Sequence, residues 1–339
     1  MNRAHALQGL LVTLLAAFSL AAHAWDRGTA TTFATLPPGT GHPEGIAADA
    51  QGNLYVADFD VSGETAVGNV IVFDRAGRLV RKLAIPGSSN LLLGIAFHPQ
   101  TNALLVIDFG NQKVLEIDPL NGTPTLFTTI PGGSAAGPNA LAFDQAGNVY
   151  ISDSFAGTIW RTGPTGGAAS PWVSDPLLAT SGVPPFGANG LAFNNAFSAL
   201  FVANTGNDTI VKIPVAGGAP GTPVVFVNSI NGADGLLIDA ADNFWVAANQ
   251  SDEIVVLDSS GRVIAKLGDF GGIDARGAPI GLLFPASLVI SNGFLYVTNL
   301  SLDLRLFGLA QTTNSQWSAQ VTRHTIARMR AQIPPVRGN

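Results

Sequence analysis

Hydrophobic and polar positions follow one another along this chain in a unit that is repeated about six times. In the fourth unit, Asn189 and Gly190 precede an apolar run, a turn, a second apolar run and an Asn-Thr-Gly sequence that starts at Asn204. The lead positions that correspond to Asn189 in the other units are Glu44, Leu93, Asn139, Asp234 and Ala286, so that successive units lie 45 to 52 residues apart. A repeat of this length with several short strands predicts an all-β, six-bladed β-propeller.

Each unit holds up to four predicted strands, and the first is a continuous apolar run, as expected for a strand buried between neighbouring blades. An alternating segment, Thr29–Leu36, precedes the first unit without a partner in its own repeat. It predicts a strand that completes the last blade and closes the ring. In that last blade, His324–Arg328 is the predicted third strand. The propeller is predicted over residues 25–330, with a C-terminal tail at 331–339.

Composition agrees with this prediction. Charged residues make up 12% of the chain and apolar residues 47%, with 39 Gly and 21 Pro. Such a mixture is typical of short buried strands joined by tight turns. The chain has no cysteine, which excludes disulfides and thiolate chemistry. The formal charge of -6 argues against a nucleic-acid partner, which would require a basic face.

The N-terminus has the features of an export signal. Arg3 gives a positive start, residues 7–22 are apolar, and Ala22-His23-Ala24 fits a small-x-small cleavage site. We therefore predict a signal peptide over residues 1–24 and a periplasmic or secreted protein without membrane contact after cleavage. The alternative is a permanent membrane anchor, because the apolar stretch is nearly long enough to span a bilayer.

One polar position recurs at the end of the second strand of every unit. Its occupants are Asp58, Asp108, Asp153, Asn204, Asn249 and Asn299. Since all six are Asp or Asn, we predict a structural role in which the side chain bonds to the backbone of the turn that follows.

The lead positions vary instead. Leu93 and Ala286 are apolar, so the fold does not require a polar residue there. In a propeller these positions meet at one mouth of the central channel, where Glu44 and Asp234 would repel each other and raise a pKa. Two carboxylates with two amide oxygens suit Ca²⁺, whereas a thiolate or imidazole zinc site lacks its ligands here. The alternative is a set of polar residues at solvated turns.

At these residues the chain resembles a known family. Glu44-Gly45, Asn139, Asn189-Gly190-Leu191 and Asp234-Gly235-Leu236 stand in the order and blades of the senescence marker protein/gluconolactonase/luciferin-regenerating-enzyme-like propellers. The resemblance implies one divalent metal ion held by Glu44, Asn189 and Asp234, with Ca²⁺ favoured over Mn²⁺, Mg²⁺ or Zn²⁺. It also implies that Asp234 is the general base and that Asn139 contacts the substrate or completes the metal shell.

The chain departs from that family at several positions. Sugar-lactone hydrolases of the family commonly carry Arg and Asp where this chain has Gly137 and Ala140. Since an Arg would hold a polyhydroxylated substrate by paired hydrogen bonds, its loss argues against a sugar lactone. Leu93 replaces the catalytic His of paraoxonase-type enzymes. Of the nearest histidines, His98 is predicted in a turn, and His42 is close enough in sequence to reach the channel mouth.

The function predicted from these residues is a metal-dependent lactonase or esterase that acts on a small-molecule substrate in the channel. The loops expected over the channel are rich in Gly and Pro, with scattered Phe and Ile, which favours a small, apolar lactone. These loops are Phe59–Asn69, Ala179–Phe186 and Gly268–Leu283.

Two other functions are compatible with the fold, because fold alone does not decide function. Thr205–Ile210 and Phe109–Val114 resemble NHL-type repeats, which often build non-catalytic propellers that bind ligands or proteins. A pure binding module would not need the polar lead residues. A lyase or strictosidine-synthase-like activity is less favoured, since its essential Glu would stand in a late blade, where this chain has Ala286.

Overall fold

The computed structural model describes residues 26–309 and 313–334. Its sheets are six small antiparallel blades in a ring, which confirms the predicted six-bladed β-propeller. The predicted signal peptide lies outside the described residues. No helix in the described part of the chain is both long and apolar enough to cross a membrane.

The strands follow the repeat blade by blade, after an N-terminal strand β1 (Thr31–Thr35). The first blade contains β2 (His42–Ala48), β3 (Leu54–Phe59), β4 (Asn69–Phe73) and β5 (Leu79–Ala84). The second contains β6 (Leu92–Phe97), β7 (Leu104–Asp108), β8 (Lys113–Ile117) and β9 (Pro124–Thr129). The third contains β10 (Pro138–Phe143), β11 (Val149–Asp153), β12 (Thr158–Gly163) and β13 (Gly166–Ser174).

The second half of the chain repeats this arrangement with additions. The fourth blade contains β14 (Ala188–Phe193), β15 (Ala199–Asn204), β16 (Thr209–Ala216), the short β17 (Ala219–Pro220) and β18 (Val224–Val227). The fifth contains β19 (Ala233–Ile238), β20 (Phe244–Ala248), β21 (Glu253–Leu257) and β22 (Val263–Leu267). A separate hairpin follows, made of β23 (Phe270–Ile273) and β24 (Pro279–Gly281). The sixth blade contains β25 (Pro285–Ser291), β26 (Phe294–Asn299) and β27 (Thr325–Arg330).

The ring is closed by the N-terminal strand, as the sequence predicts. β1 pairs antiparallel with β27, with Thr31 opposite Arg328 and Thr35 opposite Thr325. The sixth blade therefore has the order β1-β27-β26-β25. Arg27, just before β1, adds a second attachment through a 2.7 Å ion pair with Glu253 of the fifth blade.

The glycine after a lead residue has a steric cause in the packing of neighbouring blades. A Cβ atom at Gly45 would overlap the carbonyl oxygen of Leu93, the lead residue of the next blade. In the same way, a Cβ atom at Gly190 would overlap the carbonyl oxygen of Asp234. The innermost strands therefore approach one another backbone to backbone, and β25 contacts β2 to complete the ring. This close approach brings the six lead positions together.

Two segments without a counterpart in the other blades differ from the predicted loops. Gly268–Leu283, predicted as an open loop, contains the β23–β24 hairpin. Between β26 and β27 the chain forms a 3₁₀ helix, Leu304–Phe307, and a short α-helix, α1 (Thr313–Ser318). Two further 3₁₀ helices, Gly133–Ala135 and Pro176–Leu178, lie in the connections that lead to the third and fourth blades.

Candidate active site

The polar lead residues line a single cavity at one end of the channel. Glu44, Asn139, Asn189 and Asp234 come from β2, β10, β14 and β19, and Leu93 of β6 joins them. The sixth lead residue, Ala286, is fully buried in the adjoining apolar cluster. The structure therefore brings together all four polar residues that the repeat comparison selected.

A β-bulge at each lead residue explains why these side chains turn into the channel. In the first blade the regular pairing of β2 with β3 is interrupted between Pro43 and Ile46, so that Glu44 and Gly45 lie outside it. The pairing is interrupted in the same way in each of the five remaining blades, for example between Ala233 and Leu236 around Asp234. A bulge bends its strand and re-aims the side chain it carries, which here places the lead residue over the channel axis.

Glu44 and Asp234 are the two carboxylates that line the cavity, and both are buried. Each is only 4% exposed, and Oε2 of Glu44 and Oδ1 of Asp234 are buried without a hydrogen-bond partner. Burial raises the pKa of Glu44 well above its usual value, and the charge of Asp234 adds to the effect. Burial also raises the pKa of Asp234, opposed by the hydrogen bond from Asn249. The predicted conflict between the two carboxylates is thus present in the structure.

Neighbouring hydroxyl groups orient the two amide side chains. Asn139 Nδ2 donates to Ser154 Oγ at 3.2 Å, and Asn189 Nδ2 donates to Thr205 Oγ1 at 2.9 Å. Ser154 Oγ in turn donates to the carbonyl oxygen of Ala188 at 2.7 Å. Because the nitrogen of each amide is engaged, its oxygen is the atom that remains to serve as a ligand.

Sequence reasoning missed Ser154 and Thr205, although a signal for them exists. Both directly follow the Asp or Asn that ends a second strand. The residues at this position in the six blades are Phe59, Phe109, Ser154, Thr205, Gln250 and Leu300. This position varies as the lead position does, and Phe59, Thr205 and Leu300 also line the cavity.

The Asp and Asn residues at the ends of the second strands are mostly structural, as predicted, although their contacts lie elsewhere than expected. Asp58 Oδ1 accepts from the backbone N–H of Gly41 at 2.7 Å, and Asn299 Oδ1 accepts from that of Leu283 at 3.0 Å. Gly41 and Leu283 precede the first strand of the same blade. Asp153 bonds in both directions, to Gly137 before the blade and to the following turn.

Asn249 departs from this series. Its Nδ2 donates to Oδ2 of Asp234 at 2.8 Å inside the cavity wall. The backbone N–H of Gly232, which leads into β19, is instead bound by Asp208 of the preceding blade at 2.7 Å. In the fifth blade, therefore, Asp208 of the fourth blade makes the hydrogen bond to the backbone before the first strand. Asn249 bonds instead to the candidate catalytic carboxylate of Asp234.

The two histidines considered from the sequence lie outside the cavity. His98 bonds through Nε2 to the carbonyl oxygen of Gly147 at 2.8 Å, as predicted for a turn residue. His42 does not line the cavity; its Nδ1 lies 2.8 Å from the carbonyl oxygen of Leu300. Its ring packs edge to face against His324, with centroids 4.4 Å apart.

The residues present fit a hard divalent cation. Within residues 26–309 and 313–334, no three acidic or histidine side chains are grouped as they would be around a metal ion. The cavity offers instead two carboxylates with unpartnered buried oxygens and two oriented amides. Oxygen donors of this kind are the ligands of Ca²⁺ and Mg²⁺. A cation would also remove the repulsion between Glu44 and Asp234.

Three leucines form part of the apolar lining of the cavity. Leu300, Leu302 and Leu304, called here the leucine cap, line it together with Phe59, Leu93, Pro184, Phe186 and Phe284. The free space measures about 30 Å³. That is room for an ion with a water molecule, since a water molecule needs only about 10–15 Å³ on this measure. A substrate would have to displace part of the cap.

A known protein family matches two segments that together contain three of the four polar lead residues. A family model described as the SMP-30/Gluconolactonase/LRE-like region matches residues 11–108 and 184–268, more than half of the chain. The first matched segment contains Glu44 and the second contains Asn189 and Asp234, whereas Asn139 lies between them. No curated protein matches the chain significantly.

Three solved structures illustrate the similarity of the fold. A luciferin-regenerating enzyme is 16% identical, over 92% of this chain and 98% of its own, with a TM-score of 0.65. The calcium-binding protein regucalcin from Agrobacterium tumefaciens is 16% identical over 91% and 99%, with a TM-score of 0.62. A gluconolactonase from Xanthomonas campestris is 18% identical over 81% and 84%, with a TM-score of 0.57. At these identities the likeness establishes the fold alone.

Proposed function

The chain belongs to the SMP-30/gluconolactonase/LRE-like family, and from this premise we propose that it is a metal-dependent hydrolase that opens a small, apolar lactone or ester. The observation that carries the proposal is the pair of buried, unpartnered carboxylate oxygens of Glu44 and Asp234 facing one cavity. Such atoms are costly to bury unless a ligand compensates them. The gluconolactonase and the calcium-binding regucalcin among the structural relatives are consistent with this chemistry.

In this proposal Glu44, Asn189 and Asp234 hold one divalent ion, with Ca²⁺ favoured over Mn²⁺, Mg²⁺ or Zn²⁺. The ion would polarise the substrate carbonyl and stabilise the negative charge that develops on its oxygen. Asp234 acts as the general base and takes a proton from the attacking water molecule. Asn249, bonded to Oδ2 of Asp234, leaves Oδ1 free for that proton.

The remaining steps need only the orientation of the substrate. Asn139 Nδ2 donates one proton to Ser154 and uses its second to orient the reacting carbonyl. Water adds to the carbonyl carbon, the bond to the ring oxygen breaks, and the proton held by Asp234 passes to that oxygen. The product is a hydroxy acid. Apolar side chains around the cavity exclude other water molecules from the reacting atoms.

Gly137 is the reason to expect an apolar substrate, because sugar-lactone hydrolases of the family commonly carry Arg at this position. A Cβ atom at Gly137 would lie 2.7 Å from Cδ2 of Phe155, so the phenyl ring occupies the space that a longer side chain would need. A group that binds hydroxyls is thereby replaced with an aromatic surface. This favours an apolar substrate over a polyhydroxylated one.

The test is a panel of lactones and aryl esters, assayed with and without a chelator, on wild type and Asp234→Asn. We expect the substitution to lower kcat/KM by about a hundredfold or more, since a general base contributes at least that much. Asp269→Asn, at an exposed carboxylate that follows the same blade, is the matched control and should retain activity. If wild type hydrolyses nothing in the panel and holds no divalent ion by elemental analysis, the proposal is wrong.

A non-catalytic binding propeller is the second candidate, and the small free volume of the cavity favours it. A cavity of about 30 Å³ would hold a structural ion without admitting a substrate. This candidate predicts a tightly held ion, stabilisation by that ion in thermal unfolding and no turnover of any member of the panel. The same set of measurements therefore separates the two functions.

For the cellular location we propose the periplasm or the exterior, with the mature chain free of the membrane. The proposal depends on the export signal at residues 1–24. N-terminal sequencing of the protein recovered from the soluble extracytoplasmic fraction should begin at Trp25. Recovery from the membrane fraction with residues 1–24 intact would instead support an anchor.

A further inference from the structure

The cavity has a polar side and an apolar side that belong to different blades. The third, fourth and fifth blades provide Asn139 with Ser154, Asn189 with Thr205, and Asp234 with Asn249. At the lead position and at the position of Ser154 and Thr205, the first, second and sixth blades carry apolar residues, with Glu44 as the exception: Phe59, Leu93, Phe109, Ala286 and Leu300. A substrate bound here would meet polar groups at one end and hydrocarbon at the other.

An aromatic wall runs from the apolar side of the cavity to residues of the third blade and of the connection that leads to the fourth. We use this name for Phe59, Phe109, Phe155 and Phe186. Successive ring centroids lie 6.1 Å apart between Phe59 and Phe109, 5.6 Å between Phe109 and Phe155, and 5.7 Å between Phe155 and Phe186. Phe59 and Phe186 line the cavity, whereas Phe155 is 46% exposed. Both ends of the wall therefore lie at the cavity, and the wall reaches the surface at Phe155 between them.

The chain's own side chains show what chemistry fits against this surface. Leu302 and Leu304 are buried in the same apolar cluster as Phe59, Leu93 and Phe284, and both line the cavity. They are branched alkyl groups that line the same cavity as the two carboxylates. Part of the cavity wall is thus aliphatic carbon, supplied by the buried segment between β26 and β27.

We propose that the apolar side of the channel is a binding site for a linear alkyl chain carried by the substrate. The alkyl chain takes the place of Leu302 and Leu304 and runs along the aromatic wall toward Phe155. Its reacting end lies over Glu44 and Asp234, and that part of the inference rests on the proposed function. The ligand class is a lactone or ester with a long unbranched alkyl substituent.

The test separates binding from hydrolysis by using lactams, in which a ring N–H replaces the ring oxygen and resists cleavage. A series of γ-lactams with methyl, propyl, hexyl and nonyl substituents is titrated calorimetrically into the metal-loaded protein. Burial of alkyl carbon predicts that affinity rises about threefold to fourfold for each methylene that contacts the wall. An affinity that does not change with chain length would overturn the proposal.

Substitutions at Phe155, the exposed ring of the wall, locate the site. Phe155→Asn should flatten the rise between the hexyl and nonyl lactams, and Phe155→Leu should restore most of it because the alkyl contact returns. Leu126→Asn, at another exposed apolar residue on the outer strand β9, is the matched control and should keep the wild-type rise. An undiminished rise in Phe155→Asn would place the alkyl chain elsewhere and contradict the proposal.

The outcomes for this inference and for the proposed function can be told apart. If the lactams bind with the expected dependence on chain length while no lactone is hydrolysed, the alkyl site stands and the hydrolase proposal fails. If lactones are hydrolysed with a kcat/KM that is independent of chain length, the hydrolase proposal stands and the alkyl site fails.

Discussion

Asn249 shows how a single residue can leave a structural series and serve the site. Its five counterparts bond to backbone groups of their own blades, whereas Asn249 donates to Oδ2 of Asp234. Since Oδ1 of Asp234 has no partner, this hydrogen bond fixes which oxygen faces the cavity. Bonds of this kind orient a metal ligand and tune its affinity.

We therefore expect Asn249→Ala to weaken Ca²⁺ binding by about tenfold to a hundredfold, the usual cost of losing a group that orients a ligand. Calorimetric titration with Ca²⁺ measures this directly and does not depend on activity. Asn228→Ala, at an exposed amide before the fifth blade, should bind Ca²⁺ as wild type does. Equal affinities for Asn249→Ala and wild type would show that the hydrogen bond does not position Asp234.

At this scale the sequence predicts some residues of the site and hides others. The lead residues could be predicted because Leu93 and Ala286 show that the repeat tolerates apolar side chains there. Asn249 could not be recognised, because its series is uniformly Asp or Asn in the sequence. Asn249 can bond to Asp234 because Asp208 of the preceding blade binds the backbone N–H of Gly232 in its place. Only the folded chain reveals this contact between blades.

Among the elements, the inner strands depend on glycines that permit close approach between blades. A Cβ atom at Gly190 would overlap the carbonyl oxygen of Asp234 and lie 2.6 Å from the backbone nitrogen of Leu236. Both atoms belong to β19, which cannot yield without moving Asp234. The packing of β14 against β19 and the position of Asp234 therefore both require a glycine at residue 190.

Gly190→Ala should lower the free energy of unfolding by about 1–3 kcal/mol, the usual cost of overpacking. Urea denaturation followed by circular dichroism measures the change. Gly163→Ala is the matched control, because a Cβ atom there would meet its nearest neighbour, the carbonyl oxygen of Gly166, at 3.6 Å. Identical unfolding midpoints for the two variants would show that the blades separate freely enough to admit a methyl group.

Elements that occur in every blade were predictable, and those that occur once were not. The strands follow an apolar pattern that recurs in six copies, so that each copy supports the assignment of the others. The β23–β24 hairpin and the leucine cap have no second copy with which to be compared. Their apolar residues could therefore not be assigned to a face from the sequence alone.

For the whole molecule, the junction of the first and sixth blades is the place where the ring closes. His42 at the start of β2 and His324 just before β27 pack against each other there. Burial, with a smaller effect from His42, lowers the pKa of His324 to about 3, and its Nδ1 is buried without a partner. The pKa of His42 is also lowered by burial, although Leu300 and Asp60 oppose the shift.

A histidine with a lowered pKa in the folded state destabilises the fold as the pH falls. The unfolded chain binds a proton below about pH 6.5, while folded His324 remains neutral down to about pH 3. Between these values His324 makes the free energy of unfolding decrease by about 1.4 kcal/mol per pH unit. His324→Asn should therefore lose less stability than wild type between pH 6.5 and 4.

Urea denaturation across that range measures the difference between the two proteins. Comparing slopes is necessary because burial raises the pKa of Asp58 to about 7, which changes stability with pH in the opposite sense in both proteins. Parallel slopes for wild type and His324→Asn would mean that His324 is protonated without cost in the folded ring.

The pairing of β1 with β27 has a consequence for incomplete chains. Because the strand that closes the ring comes from Thr31–Thr35 and its partner ends at Arg330, the first and last parts of the propeller complete each other. A product truncated before Thr325 leaves β1 and one edge of β26 with unpaired backbone groups, the kind of edge that recruits other chains or proteases. Ring closure therefore requires a chain that extends at least through β27.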